Sequence, residues 1–284
     1  MKRLIINADD FGLNELINSA IIKGYRNGFI TSTTIMPSGI AFESAAESAK
    51  ENPNLGVGVH LTLVAEKPVS APSKIPTLVN NDGYFPPQYP QFLLRYMLGK
   101  ITIDDIRREL TAQVKKVTSA GINITHIDSH QHLHIIPEIL TVVIDIAKEH
   151  KIRALRIPDE SYFFFGSYPF SLVRFVARCG LTYLARIARH KVRKNNLVVP
   201  NHFFGMLAGG NMQEKYLSEI IRQIPDGVSE IMVHPGSNNK LLSTQHNWEY
   251  HWEEELLALT SKNIGRLITD KDISLVSFRE LSHG

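Results

Sequence analysis

Two adjacent carboxylates and several imidazoles sit where apolar runs of this chain end. Leu4-Ile5-Ile6 leads into Asn7-Ala8-Asp9-Asp10-Phe11-Gly12, Gly56-Val57-Gly58-Val59 into His60, and Ile122–Ile127 into Asp128-Ser129-His130. Ala154-Leu155 precedes Arg156-Ile157-Pro158, and Ile231-Met232-Val233 ends at His234-Pro235-Gly236. Acids and histidines in this combination can hold a divalent cation and move protons around a hydrolysed bond. Asp9 and Asp10 repel each other, and burying both is costly unless a cation neutralises one. The plainer alternative makes Asp9 a turn or helix cap and leaves Asp10 in solvent.

The run His126-x-Asp128-x-His130-x-His132-x-His134 repeats a polar residue at each second position, the period at which strand side chains share a face. Its ends lie ~26 Å apart if extended, whereas zinc ligands sit ~2.0–2.2 Å from the ion. One or two of the five can therefore be ligands. His130, just past the expected strand end, is the candidate. His126 and Asp128 fit an orienting or structural role further down the strand. His132 and His134 fall in the turn before Pro137, as hydrogen-bonded turn histidines or as ligands. His60 alone could be an ordinary core histidine, but it is the last inward residue of its strand. Arg156 could contact substrate, pair with Asp9 and hold it ionised, or make a surface ion pair.

Residues that end strands need a scaffold that gathers strand ends. Strands are expected at about 3–8, 31–36, 56–63, 123–128, 153–157, 229–234 and 274–278, with helical patterns between them. Asn14 and Thr102 are expected to open helices, Gly28 to close one as a left-handed cap and Gly121 to stop another. Pro137 opens a helix where a missing N–H costs nothing. Alternating strands and helices imply an α/β parallel barrel, whose mouth collects the strand ends. About seven strands are visible, so the barrel is expected to be irregular. Residues 1–284 read as one domain. Segment 65–100, rich in Pro and turn signals, is an excursion over the mouth. Segment 161–213 reads as a basic helical insertion.

Composition agrees with a globular enzyme: 284 residues, 43% hydrophobic and 21% charged. A formal charge of +3 gives no reason to expect nucleic-acid binding. The one cysteine, Cys179, excludes an internal disulfide framework and favours a reducing compartment. Met1–Ile6 has no apolar stretch long enough for a signal peptide, so a cytoplasmic protein is expected.

The motifs together resemble the YdjC-type carbohydrate deacetylases, a family that includes chitooligosaccharide deacetylases. The resemblance runs from residue 3 to about 236 and rests on Asn7–Gly12, Gly58-Val59-His60, His126–His134 and His234-Pro235. Pro76-x-Leu78-Val79, Asp82-Gly83-x-Phe85, Asn201-His202-x-Phe204-Gly205 and Pro225–Glu230 look most like the hopanoid-biosynthesis-associated branch. The chain departs from the oligosaccharide-specific branch across 160–210. The resemblance implies an irregular seven-stranded, TIM-like barrel that removes an acetyl group from an N-acetylated sugar or glycolipid. It implies one divalent ion (Zn2+ or Mg2+) held by Asp10, His60 and His130, with Asp9 as general base and His234 as general acid. A homodimer is also expected.

Two histidines and a carboxylate also describe non-haem iron oxygenases, which need no second adjacent acid. Metal amidohydrolases and phosphoesterases carry His-x-His on the first strand, where this chain has Asp9-Asp10. A sugar-binding protein with a structural metal would leave Asp9 and His234 without a task. Residues 161–213 contain no acid, and their basic positions Arg174/Arg178 and Arg186/Arg189/Arg193 recur at helical spacing. They form either a solvated helix face packed on the barrel or a lid that docks peripherally on the anionic inner membrane face.

Overall fold

The computed structural model describes residues 1–164, 172–246 and 248–283. The chain alternates strand and helix: β1 (Lys2–Phe11), α1 (Glu15–Asn27), β2 (Ser32–Ile35), α2 (Phe42–Glu51) and β3 (Gly56–Leu61). After residues 65–100, which hold α3 (Tyr89–Met97), come α4 (Ile103–Ser119), β4 (His126–Ser129), α5 (Pro137–Glu149) and β5 (Ala154–Leu155). Then follow α6 (Leu172–Lys194), β6 (His202–Phe204), α7 (Glu214–Gln223), β7 (Gly227–Val233), α8 (Asn239–Gln245), α9 (Trp252–Leu259), α10 (Lys262–Asp270), β8 (Ile273–Leu275) and α11 (Phe278–His283).

The strands pair in parallel in the order β5-β4-β3-β2-β1-β7-β6, with β8 also beside β1. Residues 197–204 link the two ends of that order. Val198 bridges to Ala154 of β5, and His202–Phe204 pair with β7. The result is a curled, irregular TIM-like barrel. Every residue of β2 and β3 is buried, as are Leu4 to Phe11 of β1, the burial expected of parallel strands in a βα barrel.

Local chemistry accounts for the helix ends. Asn14 and Thr102 cap α1 and α4 by accepting backbone N–H bonds from Leu16 and Asp105. Gly121 follows α4 at φ +81°. Gly28 ends α1 at φ −143°, so it is not the expected left-handed cap. Its glycine answers to space, since a Cβ there would lie 2.2 Å from the Leu259 carbonyl oxygen.

The strand ends shift against the sequence reading, and one strand was unforeseen. β6 lies inside the segment read as helical throughout, so 161–213 supplies both helix α6 and a strand of the sheet. The final strand is Ile273–Leu275, and Phe278 already opens α11. Among the described residues no helix is long and apolar enough to cross a membrane.

Candidate metal and catalytic centre

Neighbouring residues on a regular strand face opposite ways, so Asp9 and Asp10 reach one site only because β1 is irregular. Between Ala8↔Thr33 and Phe11↔Ile35, β1 uses one residue more than β2, a bulge. Asp10 sits in the left-handed region at φ +67°, which is costly for a residue with a Cβ. Both carboxylates are only 2% exposed, which overturns the reading of Asp9 as a cap and Asp10 as solvated.

The two acids are neutralised differently. Asp9 takes Arg156 in a bidentate pair, Nη1 to Oδ2 at 2.6 Å and Nη2 to Oδ1 at 2.7 Å. Asn7 donates to Asp9 Oδ1 at 2.9 Å. Asp10 has imidazoles instead: its Oδ1 lies 3.4 Å from His60 Nε2 and 3.1 Å from His130 Nδ1. Burial alone would raise the Asp10 pKa, but His130 and His60 outweigh it and hold the carboxyl well below the usual range.

Parallel register puts His60 opposite Asp128, and the side chains meet, Nδ1 to Oδ1 at 2.7 Å. A carboxylate on one imidazole nitrogen fixes the ring and leaves the other to face a cation. Asp128 thus has the orienting place expected for it. Burial opposes charge on His60, yet Asp128 and Asp10 push its pKa up to about 10. The carboxylates of Asp10 and Asp128 thus favour positive charge at His60, and a cation binding there would have to displace the ring proton. One donor atom from each of Asp10, His60 and His130 lies within 4.8 Å of the others, and all three residues are buried. A carboxylate and two imidazoles suit a divalent ion in size and chemistry. A second group, Asp9, His60 and Asp128, meets the same distance limit. It fits a cation less well, because Arg156 already bridges both of its carboxylates.

Arg156 follows β5 at zero exposure, so it is not a surface ion pair. Its Nη1 also reaches Asp128 Oδ2 at 2.6 Å and its Nε reaches Glu230 Oε1 at 2.6 Å. With the guanidinium enclosed by three carboxylates, the geometry supplies the pairing with Asp9 and leaves it no face toward substrate. Burial raises the Glu230 carboxyl, against the pull of Arg156, to about 7.

His234 follows β7 with its Nε2 4.0 Å from Asp9 Oδ2. Glu255 of α9 accepts its backbone N–H. The other histidines of the long run stay out of the cluster. His126 is buried and stacks on Phe278 with ring centres 3.7 Å apart, its pKa pulled down by burial to about 3. His134 lies between Ser129 Oγ and the Arg156 carbonyl, as a turn histidine would. His132 packs near Phe203, and His202 meets the Asp226 carbonyl. The sequence reading missed Thr34, Glu230 and Glu255 as partners of the site. Thr34 contacts His60 and Asp128, yet nothing marks it among the threonines of β2.

Fold and site define a parallel βα barrel with a buried carboxylate–imidazole cluster that could hold a metal ion at the carboxyl ends of its strands. The model of the family described as YdjC-like protein matches residues 3–270, and the chain belongs to that family. A protein of Clostridium beijerinckii named carbohydrate deacetylase is 34% identical over 98% of this chain and all of its own length. One of the same name from Thermoanaerobacter pseudethanolicus is 30% identical over 98% of each. A crystal structure from Enterococcus faecalis, described as a proposed cellobiose-phosphate cleavage protein, superposes with a TM-score of 0.79 at 26% identity. That match covers 99% of this chain and 98% of the other.

Proposed function

We propose that the chain is a metal-dependent carbohydrate N-deacetylase that releases acetate and a free amine from an N-acetylated sugar. The observation that carries the reading is the division of labour between adjacent acids. Asp10 faces two imidazoles, while Asp9, held by Arg156, faces His234 at 4.0 Å. The names of the curated relatives support the reaction.

Asp10, His60 and His130 would hold the ion, and two imidazoles in the set favour zinc over magnesium. A divalent ion there would polarise the acyl carbonyl and make water more acidic. Asp9 Oδ2 takes the proton of the attacking water. Arg156 bridges both oxygens and Asn7 also donates to Oδ1, so the carboxylate is held in one orientation with Oδ2 on the His234 side. His234 Nε2 delivers a proton to the sugar nitrogen as the C–N bond breaks. Phosphate-ester cleavage is less well served, because Arg156 is buried and already paired with three carboxylates.

Asp9→Asn and His234→Ala should stay folded and metal-loaded while acetate release from N-acetylglucosamine oligomers falls ~10²–10⁴-fold. Wild-type rates in either variant would move the proton-transfer role to another residue.

A glycolipid substrate, the hopanoid-associated branch and a peripheral membrane contact belong to the same proposal. They draw on the exposed face of α6, where Leu172 (65%), Val176 (61%), Tyr183 (62%) and Ile187 (49%) recur at helical spacing. Exposed Arg186, Arg193 and Lys194 flank it. Arg178 and Arg189 do not contribute as expected, since Glu160 and Asp159 engage them. Binding to anionic liposomes at low salt should weaken with added salt and with Glu at Arg186, Arg193 and Lys194. No co-sedimentation at low salt removes the membrane contact and leaves the deacetylase reading in place.

A further inference from the structure

From the end of α8 to the first residue of α9, each second residue carries a ring: His246, Trp248, Tyr250 and Trp252. The rings touch in series, with centres 4.6, 5.5 and 5.5 Å apart. This row spans the whole centre. Trp248 lies 5.4 Å from the ring of His130, and Tyr250 lies 5.1 Å from the ring of His234.

The members differ in burial. Trp252 is 1% exposed and anchors the row in the core. Trp248 and Tyr250 are only half-buried, although each touches several rings. Tyr250 is seated against the backbone of Gly210, where a Cβ would come within 2.1 Å of the ring. Gly210 also has φ +78°, so two constraints keep a side chain from that position. A row serving packing alone would be covered along its length. Here its two middle rings remain partly open beside the residues that would carry the chemistry.

We infer that Trp248 and Tyr250 form a sugar-binding wall that takes the apolar C–H face of a pyranose ring. The inference rests on the deacetylase reading and deepens it by naming the residues that take the sugar ring. A pyranose has hydroxyls around its rim and C–H bonds on its faces, so a rigid aromatic surface holds it at small entropic cost. Docked there, the ring places a substituent amide between the His130 and His234 sides of the centre. Trp248 acts as a positioning residue and touches no metal ligand position through a polar atom.

The test uses the full-length, metal-loaded chain and N,N′-diacetylchitobiose. Trp248→Ala should raise KM roughly tenfold or more, the scale of one well-packed aromatic anchor. Its kcat and metal content should remain near wild type, and Trp248→Phe should recover most of the loss. The chain has two tryptophans, so fluorescence gives an independent readout. The disaccharide should shield wild-type emission from iodide, and Trp248→Phe, which keeps only Trp252, should show no such response. Unchanged KM in Trp248→Ala, with acetate release intact, overturns the wall and leaves the reaction standing. Shielding of Trp248 without acetate release keeps the wall and removes the reaction. Neither shielding nor release sinks both.

Discussion

Alanine at Asp10, His60 or His130 should remove the bound divalent ion and the activity together. Each contributes one donor atom to a buried cluster whose members lie within 4.8 Å of one another, so each substitution removes a third of the proposed ligand set. Wild-type protein should carry about one ion per chain after dialysis, the stoichiometry of a single catalytic site. The three variants should carry almost none, with turnover falling to background. Asp128→Asn makes the informative contrast. Asp128 touches His60 Nδ1 and lies outside the proposed ligand set, so its loss should weaken affinity by ~10–100-fold and be rescued by excess metal. Full metal occupancy in any alanine variant would take that residue out of the ligand set.

The largest stability loss should come from Arg156→Ala. Arg156 has zero exposure and is the common partner of Asp9, Asp128 and Glu230. Removing one side of a buried charge pair leaves the other uncompensated, at a cost of about 3–5 kcal/mol. Arg156 and His60 hold the Asp128 carboxyl well below the usual range against the effect of burial, so in the intact network Arg156 balances an ionised partner. Arg156→Lys should recover only part of the loss, since an ammonium cannot reproduce the bidentate fork on Asp9. Urea unfolding measures both. A change under about 1 kcal/mol in Arg156→Ala, the scale of exposed ion pairs, would show that the network does not act as described.

Much of this centre is legible in sequence because parallel strands put function at their ends. Asp9, Asp10, His60, His130, Arg156 and His234 each follow or close an apolar run, and the structure brings all six to one end of the barrel. The parts that were not legible depend on register or depth. One extra residue in β1, opposite β2, lets Asp9 and Asp10 share a site, and no local pattern announces it. Arg156 could be paired with Asp9 on charge alone. Its third carboxylate, Glu230, comes from β7, and only the packed barrel brings the two together.

Strand β6 escaped because three residues cannot display an alternation, and their pairing is with β7. The acid-free window misled in another way. Asp159 and Glu160 lie just before it and engage Arg189 and Arg178, so a charge count confined to 161–213 left those arginines unbalanced. The row from His246 to Trp252 alternates with the period of a strand but runs from the end of α8 into the start of α9, where no strand forms.

The central claim is that one buried cation and one acid–base pair cleave the amide of an N-acetylated sugar. Its most direct measurement is acetate released from N-acetylglucosamine oligomers by the full-length protein, before chelation, after chelation and after return of a single divalent metal. The account predicts acetate and free amine in equal amounts, loss of both with the chelator, and recovery at about one ion per chain. Undiminished acetate release from metal-free protein, or a metal-loaded protein that cleaves no N-acetyl sugar, would contradict it.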